Sequence, residues 1–168
     1  MVVCDSSPLI HLSRIGRLRL LKDLFGKVEI SSSVYREVVE EAKALGKPGV
    51  SPIEGAIGEG WIKVVEVEEK DAVSRLADGE HIQIEDAEVL HLAKTLSTSL
   101  VTSDGWLIKV ARGVGVKTIW TTTLVLMAVK GGMMSREDGK TLLGEFVISG
   151  LYIRPDVYAA ILRAMDEL

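Results

Sequence analysis

The sequence has 168 residues, of which 47% are hydrophobic and 26% charged, and no apolar run approaches the roughly 20 residues of a membrane helix, so one globular domain without a membrane span is expected. The net charge of −4 excludes attraction of the whole molecule to nucleic acid, which argues against a passive binder but not against a nuclease whose acids hold a cation. Cys4, the only cysteine, cannot form an internal disulfide and indicates a reducing cytoplasm, while the absence of Asn and the single Gln83 favour a thermophilic source.

Strands and helices alternate along the first 67 residues. In chain order the patterns predict a strand at 1–4, a helix capped by Ser6 or Ser7, a strand at 27–30, a helix from 31–33 to about 45, and a strand at 61–67. Pro8 suits the first turn of the first helix, because the N–H that it lacks would be unsatisfied there anyway. The Gly/Pro-rich segment 46–60 is predicted to be an insertion with room for one short helix after Pro52.

The remaining residues continue this alternation and then become helical. The patterns predict a short helix at 71–77 closed by Asp78-Gly79, a helix at 85–96, a strand at 100–102, a helix at 104–114, a strand at 117–120, and helices at 122–130, 136–148 and 156–168. No internal repeat or second domain is evident. Residues 1–168 are therefore predicted to form a single domain with a helical C-terminal part from about residue 122.

The alternation of strands and helices is typical of an α/β fold in which helices cover both faces of a parallel sheet. In such sheets ligands bind beyond the carboxyl ends of the strands, so polar residues that directly follow a strand are candidate site residues. Asp5 follows the first predicted strand and Asp104 follows the fourth. Each could instead cap the helix that comes next, and that alternative stays open at both positions.

Two further acids lie on the predicted inward faces of helices. Glu37 is three residues from Val34, on a stripe that extends to Leu45, although a position at the rim of the core is an alternative. Asp86 shares a face with the apolar residues that follow it, and there the alternative is a favourable interaction with the helix dipole. Two neighbours could replace Asp86 as the third acid, namely Glu85 and Glu88.

Four carboxylates at one end of a sheet would repel one another. A pair about 4 Å apart repels by about 4 kcal/mol at an effective dielectric of roughly 20, so a fold that gathers such acids needs a cation to offset the cost. Hard oxygen ligands suit Mg²⁺ or Mn²⁺ rather than zinc. The three histidines form no ligand-spaced cluster with Cys4 and are predicted to be surface or satisfied core residues: His11, His81 and His91.

Short motifs resemble, in order, those of the PIN domain family, and in particular the branch related to VapC-type toxins. The similar segments span nearly the whole chain and are residues 2–10 (VVCDSSPLI), 34–38 (VYREV), 86–93 (DAEVLHLA), 102–104 (TSD), 115–116 (GV) and 150–158 (GLYIRPDVY). Trp120-Thr121 stands where relatives commonly have Gly-Thr, a departure that could alter the local backbone. The second and third motifs are also further apart than compact toxins need, which could change access of the substrate.

The resemblance implies a three-layer domain with a five-stranded parallel sheet flanked by helices, and metal-dependent endonucleolytic cleavage of RNA. The residues implied as catalytic and as ligands of Mg²⁺ or Mn²⁺ are Asp5, Glu37, Asp86 and Asp104, with Ser6 and Thr102 as polar groups beside them. The resemblance also implies a homodimer and a small antitoxin protein as a partner.

Other functions remain as alternatives. A non-catalytic interaction module would keep the fold and use the acids structurally. An aspartyl phosphatase would need a second Asp where Ser7 stands, a receiver domain would need paired acids where Cys4-Asp5 supplies one, and a dinucleotide-binding domain would need a glycine-rich loop after the first strand. Three basic residues could contact an RNA backbone, with a solvated helix face as the alternative: Arg14, Lys109 and Arg112.

Overall fold

The computed structural model describes residues 1–168. In chain order the elements are β1 (Val2–Cys4), α1 (Ser6–Arg14), α2 (Arg19–Phe25), β2 (Val28–Ser31), α3 (Ser32–Tyr35), a π-helical segment (Arg36–Glu41), α4 (Ala42–Ala44), α5 (Val50–Gly58), β3 (Ile62–Val65), α6 (Lys70–Glu80), α7 (Ile84–Thr95), β4 (Leu100–Thr102), α8 (Gly105–Gly113), β5 (Thr118–Trp120), α9 (Thr123–Lys130), α10 (Arg136–Ile148) and α11 (Pro155–Asp166). None of these helices combines the length and the apolar character that crossing a membrane requires.

The five strands form one parallel sheet in the order β3-β2-β1-β4-β5, which confirms the predicted fold class. From β1 the chain runs outward to β3 and then returns to β4 on the other side of β1, so the direction of winding reverses between β1 and β4. Such a reversal opens a crevice at the carboxyl ends of the two strands. Cys4 pairs with Val101 in the ladder, so the residues that follow β1 and β4 emerge side by side.

A single hydrophobic cluster of 40 buried residues fills the space around the sheet. Every residue of β1 and β4 is buried, as expected for central parallel strands that helices cover on both faces. The C-terminal helices belong to the same core, because Leu124 of α9, Phe146 of α10 and Met165 of α11 are all fully buried within it. The sheet is therefore held rigidly beneath its carboxyl edge, and that edge is where the site residues lie.

Two helix boundaries differ from those predicted. Asp78-Gly79 does not end α6, which continues to Glu80 and stops at His81, a residue in the left-handed conformation with φ of 55°. Burial of Val73 and Ala77 of α6 in the core offsets the cost of about 1 kcal/mol for a glycine inside a helix. In the 46–60 segment, α5 begins before Pro52, which falls in its first turn; that this segment is an insertion stays a prediction.

The helix that follows β2 is irregular, which the sequence did not reveal. Between α3 and α4 it passes through the π-helical segment, whose i→i+5 hydrogen bonds shift the direction of each side chain relative to a period of 3.6. The prediction that Glu37 and Leu45 lie on the inward stripe is therefore wrong, since Glu37 is exposed and Leu45 is 69% exposed. Val34 and Val38, which belong to the same predicted stripe, are buried as expected, and Val39 is buried beside them.

Gly139 of α10 allows a test of how tightly the C-terminal helices α9, α10 and α11 pack against one another. A Cβ at this position would lie 2.6 Å from Cγ2 of Val129 and 2.8 Å from Sδ of Met165, distances that real Cβ atoms do not adopt. We expect Gly139→Ala to destabilise the protein by up to about 2 kcal/mol, because overpacking (about 1–3 kcal/mol) outweighs the gain in helix propensity of about 1 kcal/mol. Urea unfolding measures the difference. Gly144→Ala is the matched control.

For the control variant, Gly144→Ala, we expect an increase in stability instead of a decrease. Gly144 lies in the same helix, and a Cβ there would meet only Oη of Tyr158 at 3.9 Å, an ordinary contact. Gly144→Ala should therefore stabilise the protein by up to about 1 kcal/mol through helix propensity alone. Equal effects of the two substitutions would show that α10 can shift away from α9 and α11 at little cost, contrary to the expectation.

Candidate functional site

A cavity of about 880 Å³ opens at the carboxyl edge of the sheet, where the winding reverses. It lies between the ends of β1 and β4 and is bordered by α1, the π-helical segment and the start of α7. The four acids singled out in the sequence all line it: Asp5, Glu37, Asp86 and Asp104. We call it the acidic cavity.

Asp5 is fixed by the two strands on either side of the reversal. Its backbone N–H donates to Val101 O at 3.0 Å, which extends the β1–β4 ladder by one residue. Its Oδ1 accepts from the N–H of Ser6 at 2.8 Å, and its Oδ2 accepts from the Thr102 hydroxyl at 2.8 Å. Asp5 thus caps α1, a role that the sequence had assigned to Ser6 or Ser7, and it is also held by the end of β4.

Asp104, like Asp5, both caps a helix and is held by the end of β4. Its Oδ1 accepts from the N–H groups of Trp106 at 2.8 Å and Leu107 at 3.1 Å, so it caps α8. Its own N–H donates to the Thr102 hydroxyl at 3.1 Å, and Thr102 therefore joins Asp104 to Asp5. No hydrogen bond uses Oδ2 of Asp104, so one oxygen of this exposed carboxylate remains free for a ligand.

Glu37 reaches the acidic cavity from its rim. Its Oε2 accepts a hydrogen bond of 2.5 Å from the hydroxyl of Ser6, a buried residue in the first turn of α1. Ser6 therefore lies between two of the acids, because its N–H binds Asp5 and its hydroxyl binds Glu37. The rim position left open by the sequence is the one that Glu37 occupies.

The third acid is contributed by the first turns of α7. Asp86 and Glu85 line the acidic cavity, whereas Glu88 does not. Glu88 is buried and accepts from the N–H and the hydroxyl of Ser33 at 3.3 and 3.0 Å, with the ammonium group of Lys70 3.9 Å away. Glu88 is thereby engaged in joining α7 to α3, which leaves Asp86 and Glu85 as the acids that face the cavity.

Burial and repulsion from neighbouring acids raise the pKa values of two carboxylates of the acidic cavity, Asp86 and Asp5. The pKa of Asp86 is raised from 3.8 to about 6 by its partial burial and by the charges of four acids: Asp5, Asp104, Glu85 and Glu37. The pKa of Asp5 is also raised, chiefly by burial and further by Glu37 and Asp104, although the bonds from Ser6 and Thr102 oppose the shift. None of these five carboxylates takes part in any of the ten salt bridges of the protein.

This uncompensated charge predicts an unusual effect of Asp86→Asn on stability in the presence of EDTA. Because the folded-state pKa of about 6 lies above the ordinary value of 3.8, the folded protein binds the proton more tightly than the unfolded chain. Wild-type stability should therefore fall as the pH rises from 3.8 to about 6, and the variant should lack this decrease. We expect Asp86→Asn to be more stable at pH about 7.5, by on the order of 1 kcal/mol after allowance for solvent screening.

Urea unfolding at pH about 5 and about 7.5 measures the effect, which should shrink at the lower pH. The control is Asp71→Asn, which removes an exposed acid from the first turn of α6, outside the acidic cavity, and should be neutral or slightly destabilising. A less stable Asp86→Asn protein at the higher pH would contradict the electrostatic account of the cavity.

The donor set of the acidic cavity fits a hard divalent cation in kind, because it consists of carboxylate and hydroxyl oxygens. In the present side-chain conformations no three His, Cys, Asp or Glu side chains lie close enough to hold one ion together. Asp5, Glu37 and Asp104 are each engaged in hydrogen bonds to the first turns of α1 and α8.

Several polar residues of the acidic cavity were not selected from the sequence. His11 and His81 line it, although both were predicted to be ordinary surface or core residues. Nδ1 of His11 lies 2.8 Å from the hydroxyl of Ser149, which itself donates to Phe146 O, so Nδ1 is the donor in that pair. Only the fold could reveal this, because 138 residues separate His11 from Ser149.

The basic residues divide between the cavity and the rest of the surface. Arg14 lines the acidic cavity together with Arg36, which the sequence had not singled out. Neither arginine forms a salt bridge. Lys109 and Arg112 lie on α8 and do not line the cavity. Two arginines are thus available to a ligand phosphate beside the acids.

The fold and the site define a parallel α/β domain that carries an acidic cavity at its topological switch point. The chain belongs to the PIN domain family, whose model matches residues 1–167. PIN domains are generally nucleases that bind nucleic acids and use divalent metal ions.

The crystal structure of PAE2754 from Pyrobaculum aerophilum is similar to this chain, with a TM-score of 0.57 and 22% sequence identity. The match covers 76% of this chain and 96% of that one, and it supports the fold. No curated protein matches the sequence.

Proposed function

We propose that the protein is a Mg²⁺- or Mn²⁺-dependent endoribonuclease that cleaves RNA phosphodiester bonds in the acidic cavity. The observation that carries this proposal is the convergence of carboxylates without any salt-bridge partner on one cavity. Burial, together with the charges of the neighbouring acids, raises the pKa of Asp86 there to about 6. Repulsion of this kind is costly unless a cation offsets it. Phosphate cannot approach such a cavity until that cation is bound, which explains why a chain of net charge −4 can act on RNA.

The geometry suggests different roles for the four acids. Asp5 and Asp104 are the direct ligands, since both leave the ends of neighbouring strands and the hydroxyl of Thr102 joins them. Glu37 and Asp86 orient the attacking water or bind through water from the flanking helices. A divalent ion at this position would lower the pKa of bound water and stabilise charge on the phosphate.

Two arginines complete the substrate site. Arg14 and Arg36 line the acidic cavity on the side of α1 and the π-helical segment, and neither forms a salt bridge. A guanidinium group forms paired hydrogen bonds to phosphate oxygens, so these side chains would hold the RNA backbone against the acids. The Ser6 hydroxyl, which binds Glu37, keeps that carboxylate directed toward the same space.

The finer assignment is to the branch of PIN domains related to VapC-type toxins, which would make the protein the toxin of a toxin–antitoxin pair. On this proposal it forms a homodimer and is inhibited by a small antitoxin protein. Cys4, the only cysteine, is fully buried in β1, and burial raises the pKa of its thiol well above the usual range. We place the protein in a reducing cytoplasm because its one cysteine cannot form an internal disulfide.

The test combines metal binding with cleavage by the purified protein. Calorimetric titration with Mn²⁺ or Mg²⁺ should show binding at or below millimolar concentration, and a circular single-stranded RNA should be opened only when the metal is present. Opening of a circle demonstrates internal cleavage, and EDTA should abolish it. Absence of both metal binding and cleavage would favour the alternative, a non-catalytic interaction module that uses its acids structurally.

A further inference from the structure

A second groove of about 570 Å³ lies at the same edge of the sheet as the acidic cavity. It is bounded by the end of β5 and the start of α9 on one side, and by the segment 151–154 and the first turns of α11 on the other. Trp120 and Tyr152 contribute its largest side chains. We call it the aromatic groove.

The aromatic groove is directly connected to the acidic cavity through Gly105. Cη2 of Trp120 lies 3.4 Å from the position that a Cβ would take on Gly105, the residue that follows Asp104. Trp106, on the other side of Gly105, lines the acidic cavity and is 59% exposed. An extended chain leaving the acidic cavity past Asp104 would therefore meet the indole of Trp120.

The aromatic side chains of the groove are exposed, and the protein itself does not cover them. Trp120 is 45% exposed and Tyr152 is 82% exposed, although large aromatic groups contribute most to stability when buried. An exposed flat ring beside a candidate nuclease site has the chemistry of a stacking platform for a base.

The remaining lining suits a nucleobase better than an apolar peptide. Thr122, at the N-cap of α9, makes no side-chain capping hydrogen bond, so its hydroxyl is available to the edge of a base. Ser103 and Thr121 bond each other through their hydroxyls at 2.5 Å along the same wall. Arg154 is the only charged residue that lines the groove, whereas the acidic cavity has several acids.

We propose that the aromatic groove is a nucleobase subsite, which receives an unpaired base of the RNA strand whose phosphate lies in the acidic cavity. The base stacks on Trp120, with Tyr152 on the opposite wall, and hydroxyl groups of the α9 start contact its edge. This inference rests on the proposed function for the position of the phosphate. Because a base inside a duplex cannot leave its stack without loss of pairing, the subsite selects single-stranded RNA.

Binding rather than cleavage tests the subsite. Fluorescence anisotropy measures the affinity of the protein for a labelled ten-nucleotide single strand and for the corresponding blunt duplex, in Ca²⁺ at low ionic strength so that a hard cation is available to the acidic cavity, and the length of the strand is checked after each titration. Trp120→Ala should weaken single-strand binding by roughly fivefold to a hundredfold, the loss expected for one stacked base, while Trp120→Phe should retain most of the affinity. Tyr152→Ala should weaken it less, and duplex affinity should not change.

The matched control is Ile148→Ala, which truncates an 87% exposed apolar side chain outside the groove and should leave affinity unchanged. Thermal unfolding shows whether each variant is folded, and Tyr152→Ala tests the groove if Trp120→Ala is not. Equal single-strand affinities of the wild-type protein and both groove variants would overturn the subsite and leave the groove to a protein partner. Absence of single-strand binding by the wild-type protein would overturn it as well.

The outcomes separate this inference from the proposed function. Metal-dependent cleavage together with unchanged affinity of Trp120→Ala would remove the subsite and leave the nuclease proposal standing. Single-strand binding that depends on Trp120, in a protein that cleaves nothing, would remove the nuclease proposal and keep the subsite.

Discussion

Substitution of Asp5 by Asn is expected to lower Mn²⁺-dependent cleavage of single-stranded RNA by roughly hundredfold or more, the scale of loss when one charged group of a preorganised site is removed. Asp5 lies at the reversal of the sheet, and its two oxygens are oriented by the N–H of Ser6 and the hydroxyl of Thr102. An amide at this position offers one neutral oxygen where the carboxylate offered two charged ones. Metal affinity should fall with activity, and calorimetry measures it independently.

The same substitution should leave the folding transition unchanged or slightly raise its midpoint. The Asn oxygen can still accept from the N–H of Ser6, and its NH₂ group can donate to the Thr102 hydroxyl once that hydroxyl rotates. Burial, with smaller contributions from Glu37 and Asp104, raises the pKa of Asp5 above 3.8, so ionisation of Asp5 destabilises the folded protein as the pH rises above that value. The neutral amide removes this loss at neutral pH.

Asp23→Asn is the control for Asp5→Asn. Asp23 is an exposed acid on α2 and does not line the acidic cavity, so its substitution changes the net charge by the same amount without touching the site. It should cleave RNA at the wild-type rate. Full activity of Asp5→Asn would remove the assignment of the acidic cavity as the catalytic site.

Much of the fold could be predicted from the sequence because the residue pattern of each strand is easy to recognise. Each of the five strands is a short run rich in β-branched and other apolar residues and bounded by turn residues or helix caps, and every one lies within its predicted bounds or within one residue of them. The π-helical segment could not be predicted, since a local change from i→i+4 to i→i+5 hydrogen bonds cannot be recognised from the spacing of apolar residues in the sequence. That change explains why Glu37 was misplaced on the inward face.

The site was partly accessible to the same reasoning. Asp5 and Asp104 could be found because each follows a strand, and strand ends of a parallel sheet meet at one edge. His11, Arg36 and the walls of the aromatic groove could not, because each depends on contacts between distant parts of the chain. The groove, for example, joins the end of β5 to residues 151–161, which follow two further helices.

A second large effect on cleavage is expected at Asp104, where two functions of one side chain can be separated. Oδ1 caps α8 through the N–H groups of Trp106 and Leu107, whereas Oδ2 has no hydrogen bond. Asp104→Asn keeps an oxygen for the cap but replaces the other with an NH₂ group, which cannot bind a cation. Cleavage should fall by roughly hundredfold or more, with little change in stability because Asn and Asp are comparable caps.

Asp104→Ala should lose cleavage to the same extent and in addition destabilise the protein by about 1 kcal/mol through loss of the cap. The control for that loss is Ser135→Ala, because Ser135 caps α10 by accepting from the N–H of Asp138 and does not line the acidic cavity. It should be destabilised by a similar amount and remain fully active. Urea unfolding and initial cleavage rates in Mn²⁺ give the two quantities for each variant.

The pattern across these three variants decides between the two interpretations of Asp104. If its carboxylate is only a helix cap, activity should follow stability, so Asp104→Asn would be nearly as active as the wild-type protein and Asp104→Ala would resemble Ser135→Ala. If the free oxygen binds a cation, both substitutions at residue 104 should be inactive, although only one of them is destabilised. A helix cap needs one side-chain oxygen, which Asn supplies, whereas a ligand of a divalent cation needs a negatively charged oxygen, which Asn lacks. The activity of Asp104→Asn therefore distinguishes the two roles.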